Sequence, residues 1–236
     1  MNAVKVWDLR TRVFHWVNFL SVVSLIIVSF FMMYKKELGI SGDEAKIALK
    51  QLHVIIGYIF VTNLLIRIIG FFTSGFYSRW SQVFPGRGYF SRLKAFMANP
   101  QQQYAGHNPK GQLAVALMFL LFLILATTGL IRAATDVYMP PFGSIVTDYI
   151  VEEGVAPESL IPYDNTGVNA ERLAEVRSFK KNFGRVHKYA AYSLMAIILL
   201  HIFAVVYTEV RHQRGIISAM FSGYKYFDKA PVDPPR

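Results

Sequence analysis

Six histidines carry most of the chemistry open to this chain, and four of them lie in or at the edge of strongly apolar stretches. His15 sits in RVFHW and His53 in QLHVIIGY, while His187 and His201 open and close HKYAAYSLMAIILLH. His107 lies in AGHNPKG, and His212 follows the last apolar run in a basic segment. Neutral imidazole ligates metals and exchanges protons near neutral pH. His187 and His201 are fourteen residues apart. At about 100° and about 1.5 Å per residue this is almost four helical turns, so the two rings share one helix face roughly 21 Å apart. That distance is most of the ~30 Å hydrocarbon thickness of a bilayer, where ionisable groups are costly and functional by default.

The elements that must position these rings follow from the composition. Of 236 residues, 53% are hydrophobic and 15% aromatic, which excludes an ordinary soluble domain and indicates a membrane protein. There is no cysteine, so disulfides, iron–sulfur clusters, thiolate zinc sites and covalent haem attachment are all excluded. The net charge of +10 is spread between apolar runs rather than gathered in a stripe, which argues against nucleic acid and for membrane orientation.

Four windows, about 13–34, 51–72, 112–131 and 184–207, are long enough to cross a bilayer as helices. The first ends in FFMMYKK rather than in small residues, unlike a cleaved leader. The fold expected is an all-α integral membrane protein, a four-transmembrane-helix bundle forming a single membrane domain over 1–236. Four spans put both termini on one side. Those termini and the loop 73–111 hold 13 Lys/Arg against Asp8, Glu209, Asp228 and Asp233, whereas the opposite loops, including the span edges near them, hold 11 of each sign. Both termini, including the tail 208–236, are therefore expected on the cytoplasmic side, with 132–183 a long outer loop. In that loop, NAERLAEVRSFKKN reads as a short helix capped by Asn169. Its apolar YMPPFGSIVTDYIV favours a small ordered cap that receives a partner over a loose connection.

This topology pairs the histidines by depth: His15 with His201 towards the cytoplasm, and His53 with His187 towards the outer face. Two pairs at two levels fit two bis-histidine haems stacked across the membrane; the bland alternative for any one of them is an interfacial histidine. Gly57, one turn from His53, would let a flat macrocycle approach, and Gly129 and Gly70 offer the same, although small residues in spans also serve helix packing. Arg67 lies fourteen residues after His53. It would either neutralise a propionate of the inner haem or snorkel to the cytoplasmic interface.

The segments VWDLRTRVFHW, LHVIIGYIFVTNLLIRIIGFF and GHNPKGQLAV, the span-four histidine pair and the tail RGIISAMFSGYK resemble the membrane cytochrome b subunits of nickel–iron hydrogenases and related bacterial diheme cytochromes b. The resemblance implies two haem b groups, the outer on His53 and His187 and the inner on His15 and His201. It also implies electron transfer between a periplasmic or membrane-anchored redox partner, a hydrogenase small subunit or a cytochrome c, and quinone as exchangeable substrate. Quinone chemistry near the inner haem would involve His107, Asn108 and His201, unless GHNP merely turns the chain into span three. The long outer loop departs from the shorter members. Three rivals stand beside this reading: a stand-alone superoxide:quinone oxidoreductase, a histidine-based metal transporter, disfavoured by spans without carboxylates, and a passive anchor for a periplasmic enzyme.

Overall fold

The computed structural model describes residues 2–227 and 230–233; Asp228, Lys229 and Arg236, counted in the charge balance, lie outside the described residues. In chain order the elements are β1 (Asn2–Lys5), α1 (Leu9–Met33), α2 (Asp43–Thr73), α3 (Trp80–Val83), α4 (Tyr89–Ala98), α5 (Pro109–Val137), α6 (Gly143–Ile150), α7 (Ala170–Arg211), α8 (Ile216–Ser222) and β2 (Tyr224–Phe227), with short 3-10 turns at Phe76–Ser78 and Pro157–Ser159. Four helices, α1, α2, α5 and α7, are long and apolar enough to cross a membrane. They have 25, 31, 29 and 42 residues, against the ~20 that a bilayer core requires. Large apolar side chains such as Ile27, Ile59, Ile66, Phe72, Leu120, Leu199 and Phe203 stand exposed along them, as a lipid-facing surface demands.

Local chemistry sets the helix starts. The Asp8 carboxylate accepts the Thr11 N–H at 2.8 Å ahead of α1. Asn108 accepts the Gly111 N–H at 2.8 Å, with Pro109 at the first position of α5 where its missing N–H costs nothing. Asn169 caps α7 through the Arg172 N–H at 3.0 Å. The helix it opens is not the short, separate one expected in the loop. With no proline between Ala170 and Arg211 and only Gly184 as a poor helix former, NAERLAEVRSFKKN runs straight into the fourth span. At ~1.5 Å per residue α7 is roughly twice as long as the hydrocarbon is thick, so its charged first turns extend beyond the apolar part.

The chain forms two compact units. The first comprises Met1–Asn18, Thr62–Phe122 and Ser193–Arg236. Here β1 and β2 pair antiparallel, Lys5 opposite Tyr224, over a core of Val6, Trp7, Tyr77, Ala105, Ala219 and Phe227. An aromatic cluster of Phe71, Trp80, Phe84 and Phe119 ties the end of α2 to α3 and to the start of α5.

The second unit comprises Phe19–Val61 and Leu123–Tyr192. Its extramembrane part, between α5 and α7, is ordered around Ile150, Leu160 and Val168, with Val151 and Val168 bridged antiparallel. The Asn169 N–H donates to Ile150 O at 2.8 Å, so the cap residue of α7 is itself anchored to this small core.

Candidate functional site

In the second unit, α2 and α7 bring His53 and His187 together, ring centroids 6.3 Å apart and planes inclined edge-on by 69°. Two metal–imidazole bonds of about 2 Å each, plus half a ring on either side, would span a separation of this size if these residues held one metal atom. The hydrogen bonding at the far nitrogens favours this use. The Thr128 hydroxyl of α5 donates its one proton to Ile124 O at 2.6 Å, so at 2.8 Å from His187 Nδ1 it acts as acceptor. Nδ1 of His187 then carries the hydrogen and Nε2 presents a lone pair. Ser29 Oγ of α1 stands 3.4 Å from His53 Nδ1. Neither hydroxyl was singled out from the sequence; a Ser or Thr on a span facing a histidine was the available signal.

Two glycines shape the surroundings of this pair. A Cβ on Gly129 would touch His187 Cε1 at 3.4 Å, so the bare backbone of α5 lies directly against the ring. A Cβ on Gly57 would meet nothing within 4 Å, an open surface one helical turn from His53 where a planar group has room. The histidine pair, the His187 Nδ1 beside Thr128 and the open glycine face fit a bis-imidazole haem. Arg132 of α5 exerts its charge on both rings.

In the first unit, His15 on α1 and His201 on α7 interact electrostatically. The His15 ring meets Trp16 edge-on at 5.3 Å, and its Nδ1 is buried without a hydrogen-bond partner, an omission that buried polar atoms rarely make without cause. Arg67 is only 6% exposed, so its guanidinium does not extend to an open interface. It donates to Ser78 O at 3.0 Å and to Thr11 Oγ1 at 3.4 Å, and stacks 4.4 Å from the Phe71 ring. Gly70 lies beside it, a Cβ there standing 3.8 Å from Arg67 Nη1.

His107 packs against Trp7 with ring centroids 5.0 Å apart, and its Nδ1 is buried with no partner. Burial, aided by the positive charge of Lys225, pushes His107 down to about 3, so its ring is neutral. Asn108 is occupied as the cap of α5 through its side-chain oxygen. The turn carrying both is clasped by the C-terminal tail: Lys225 donates to Ala105 O at 2.8 Å, Gly106 O at 3.2 Å and Tyr104 O at 3.3 Å. Asp233 accepts the Ala105 and Gly106 N–H groups at 2.7 and 2.9 Å. Burial brings Lys225 down to about 8, even against the opposing pull of Asp233. His212 is half-buried beside Gln101 and Tyr207 and joins neither pair.

Residues 6–223 match the family described as prokaryotic cytochrome b561. The chain belongs to that family. Its relatives include a protein of Cupriavidus necator named "Probable Ni/Fe-hydrogenase B-type cytochrome subunit", 21% identical over 96% of this chain and 88% of the relative. A Rhodobacter capsulatus protein of the same name is 25% identical, covering 96% and 82%. The "Probable Ni/Fe-hydrogenase 1 B-type cytochrome subunit" of Escherichia coli K12 is 23% identical, covering 93% and 89%. No solved structure matches. As a member of the cytochrome b561 family with four membrane-spanning-capable helices, the chain is a multi-pass membrane cytochrome of the b type, a carrier of electrons.

Proposed function

We propose that this cytochrome holds two haem b groups, one on His53 and His187 and one on His15 and His201, and passes electrons across a bacterial inner membrane between a periplasmic redox partner and the quinone pool. The observation that carries this reading is the His53–His187 pair: ring centroids 6.3 Å apart, with the Thr128 hydroxyl 2.8 Å from His187 Nδ1. Haem b supplies reversible one-electron chemistry when bound. Two imidazoles on one iron leave no open coordination position, which suits electron transfer and disfavours oxygen chemistry. Among the described residues no group of three or more His, Cys, Asp or Glu could hold a metal ion, which weighs against the metal-transport reading.

The chain's own residues have separable tasks. Thr128 keeps the His187 ring in one tautomer, Ser29 lies beside the His53 ring, and Gly57 leaves the adjoining surface open. Near His201, neutral His107 is suited to hydrogen-bond a quinone carbonyl, on a turn held rigid by Lys225 and Asp233. Asn108, whose oxygen caps α5, can contribute only through its amide nitrogen. Both termini are assigned to the cytoplasm and the 138–169 segment to the periplasm. The partner is a hydrogenase small subunit, as the names of the relatives suggest, or a c-type cytochrome of the same side.

The test is haem stoichiometry of the purified protein and of histidine variants. About two b haems per chain are expected, His53→Ala and His187→Ala each losing one, and His15→Ala and His201→Ala each losing the other. A colourless wild-type protein, or a His201→Ala variant with both haems spectrally native, would sink the assignment.

A further inference from the structure

The second unit contains a charge cluster that the electron-transfer reading has not used. Asp136, near the end of α5, is 9% exposed and is met by three cations: Lys50 Nζ of α2 at 2.9 Å, Arg132 Nη2 of its own helix at 2.6 Å and Lys180 Nζ of α7 at 2.9 Å. Lys46, which lies over the Tyr163 ring at 3.5 Å, has its own acid in Asp43 at 3.1 Å and so adds no balance. One carboxylate against three cations leaves two positive charges uncompensated. The cation side chains are only 24 to 36% exposed, so water screens this excess incompletely.

The cluster is in register with the histidines. Lys50 precedes His53 by three residues on α2, and Lys180 precedes His187 by seven on α7, one and two turns back along the same helix faces. Arg132 follows Thr128 by four residues on α5, and its charge reaches both His53 and His187. Room for Arg132 is made by Gly184, three residues before His187: a Cβ there would lie 2.9 Å from Arg132 Nη1.

We propose that Lys50, Arg132 and Lys180 form the anchoring site for the two propionate carboxylates of the haem held by His53 and His187, with Asp136 pre-setting the three cations. The inference rests on the haem reading of that pair. Haem b carries two propionates, and their two negative charges match the two uncompensated positive ones. Arg132 supplies a planar fork suited to a carboxylate, while the lysines supply point charges. Asp136 keeps the cations together before the cofactor arrives and limits their repulsion.

The experiment uses detergent-purified holoprotein with the wild-type sequence, Lys180→Gln and Asp136→Asn, read by redox titration and resonance Raman. Removing a nearby positive charge stabilises the ferric form, so Lys180→Gln lowers the midpoint potential of the haem that His53→Ala removes. Asp136→Asn removes a negative charge and raises the same midpoint. The other haem keeps its potential in both variants, and the propionate bending band shifts in Lys180→Gln. Opposite signs from two neighbouring substitutions are not what a general loosening of the fold produces. An unmoved propionate band would overturn the proposal even if the midpoint moved, and so would equal shifts of both haems. Loss of co-purified phospholipid from Lys180→Gln with an unchanged band would reassign the cluster to lipid headgroups. If His53→Ala loses no haem at all, the failure lies in the ligand assignment instead.

Discussion

Thr128 illustrates how much of the chemistry is decided one atom away from the ligand. The His187 ring can present either nitrogen, and the hydroxyl 2.8 Å from Nδ1, its own proton committed to Ile124 O, selects Nε2. Thr128→Val keeps the shape and deletes the acceptor. It is expected to weaken haem binding at the His53–His187 site by roughly 10–100-fold, the usual cost of losing such a partner, with the His15–His201 site unaffected. Haem titration of the variant resolves the two, and Thr128→Ser should restore most of the affinity. The histidines themselves were recognisable in the sequence as candidate ligands. Their hydroxyl partners were not, since Ser29 is 24 residues from His53 and Thr128 is 59 from His187 along the chain.

Between elements, short polar ties hold the helix ends where side-chain packing is thin. Asp8 caps α1 and also accepts the Gly75 N–H at 2.8 Å beyond the end of α2, fastening two segments of the first unit. Burial pushes the Asp8 carboxyl up, but the bonds from Gly75 and Thr11 outweigh it and leave it below its ordinary value. A carboxyl lowered in the folded state adds stability above its unfolded pKa and loses it as pH falls through the folded one. Melting of the detergent-solubilised protein should therefore show an acid limb below about pH 4, near the unfolded carboxyl value. Asp8→Asn should flatten that limb and lower the melting temperature at pH 7. The four long helices were legible because apolar run length needs only local sequence. The union of NAERLAEVRSFKKN with the fourth span was less so, because its change from charged to apolar composition resembles a boundary although no residue there breaks a helix.

At the scale of the whole molecule, the orientation in the membrane is the proposal most directly open to measurement. The chain has no cysteine, so a single introduced thiol reports its side without background. Ser91 on α4 and Glu153 in the segment between α6 and α7 are both exposed. In inverted inner-membrane vesicles, Ser91→Cys is expected to react with an impermeant maleimide and Glu153→Cys only after the membrane is permeabilised; in intact spheroplasts the order reverses. The opposite pattern would turn the protein over and exchange the sides assigned to the redox partner and to the GHNP turn. The exposed apolar side chains of α1, α2, α5 and α7 set the membrane contact whichever way the chain is inserted.

Number of spans, absence of thiol chemistry and the shared helix face of His187 and His201 all follow from composition and a 3.6-residue period, properties that each stretch of chain carries locally. Helical periodicity says which residues share a face but not what that face meets. Only the packed structure decides that Arg67 is buried on Ser78 and Phe71, that Lys225 reaches back 120 residues to the carbonyl of Ala105, and that Lys50, Arg132 and Lys180 converge on Asp136. These contacts join segments far apart in sequence, and their partners depend on how each helix is rotated about its own axis, a quantity fixed by side-chain packing across helices.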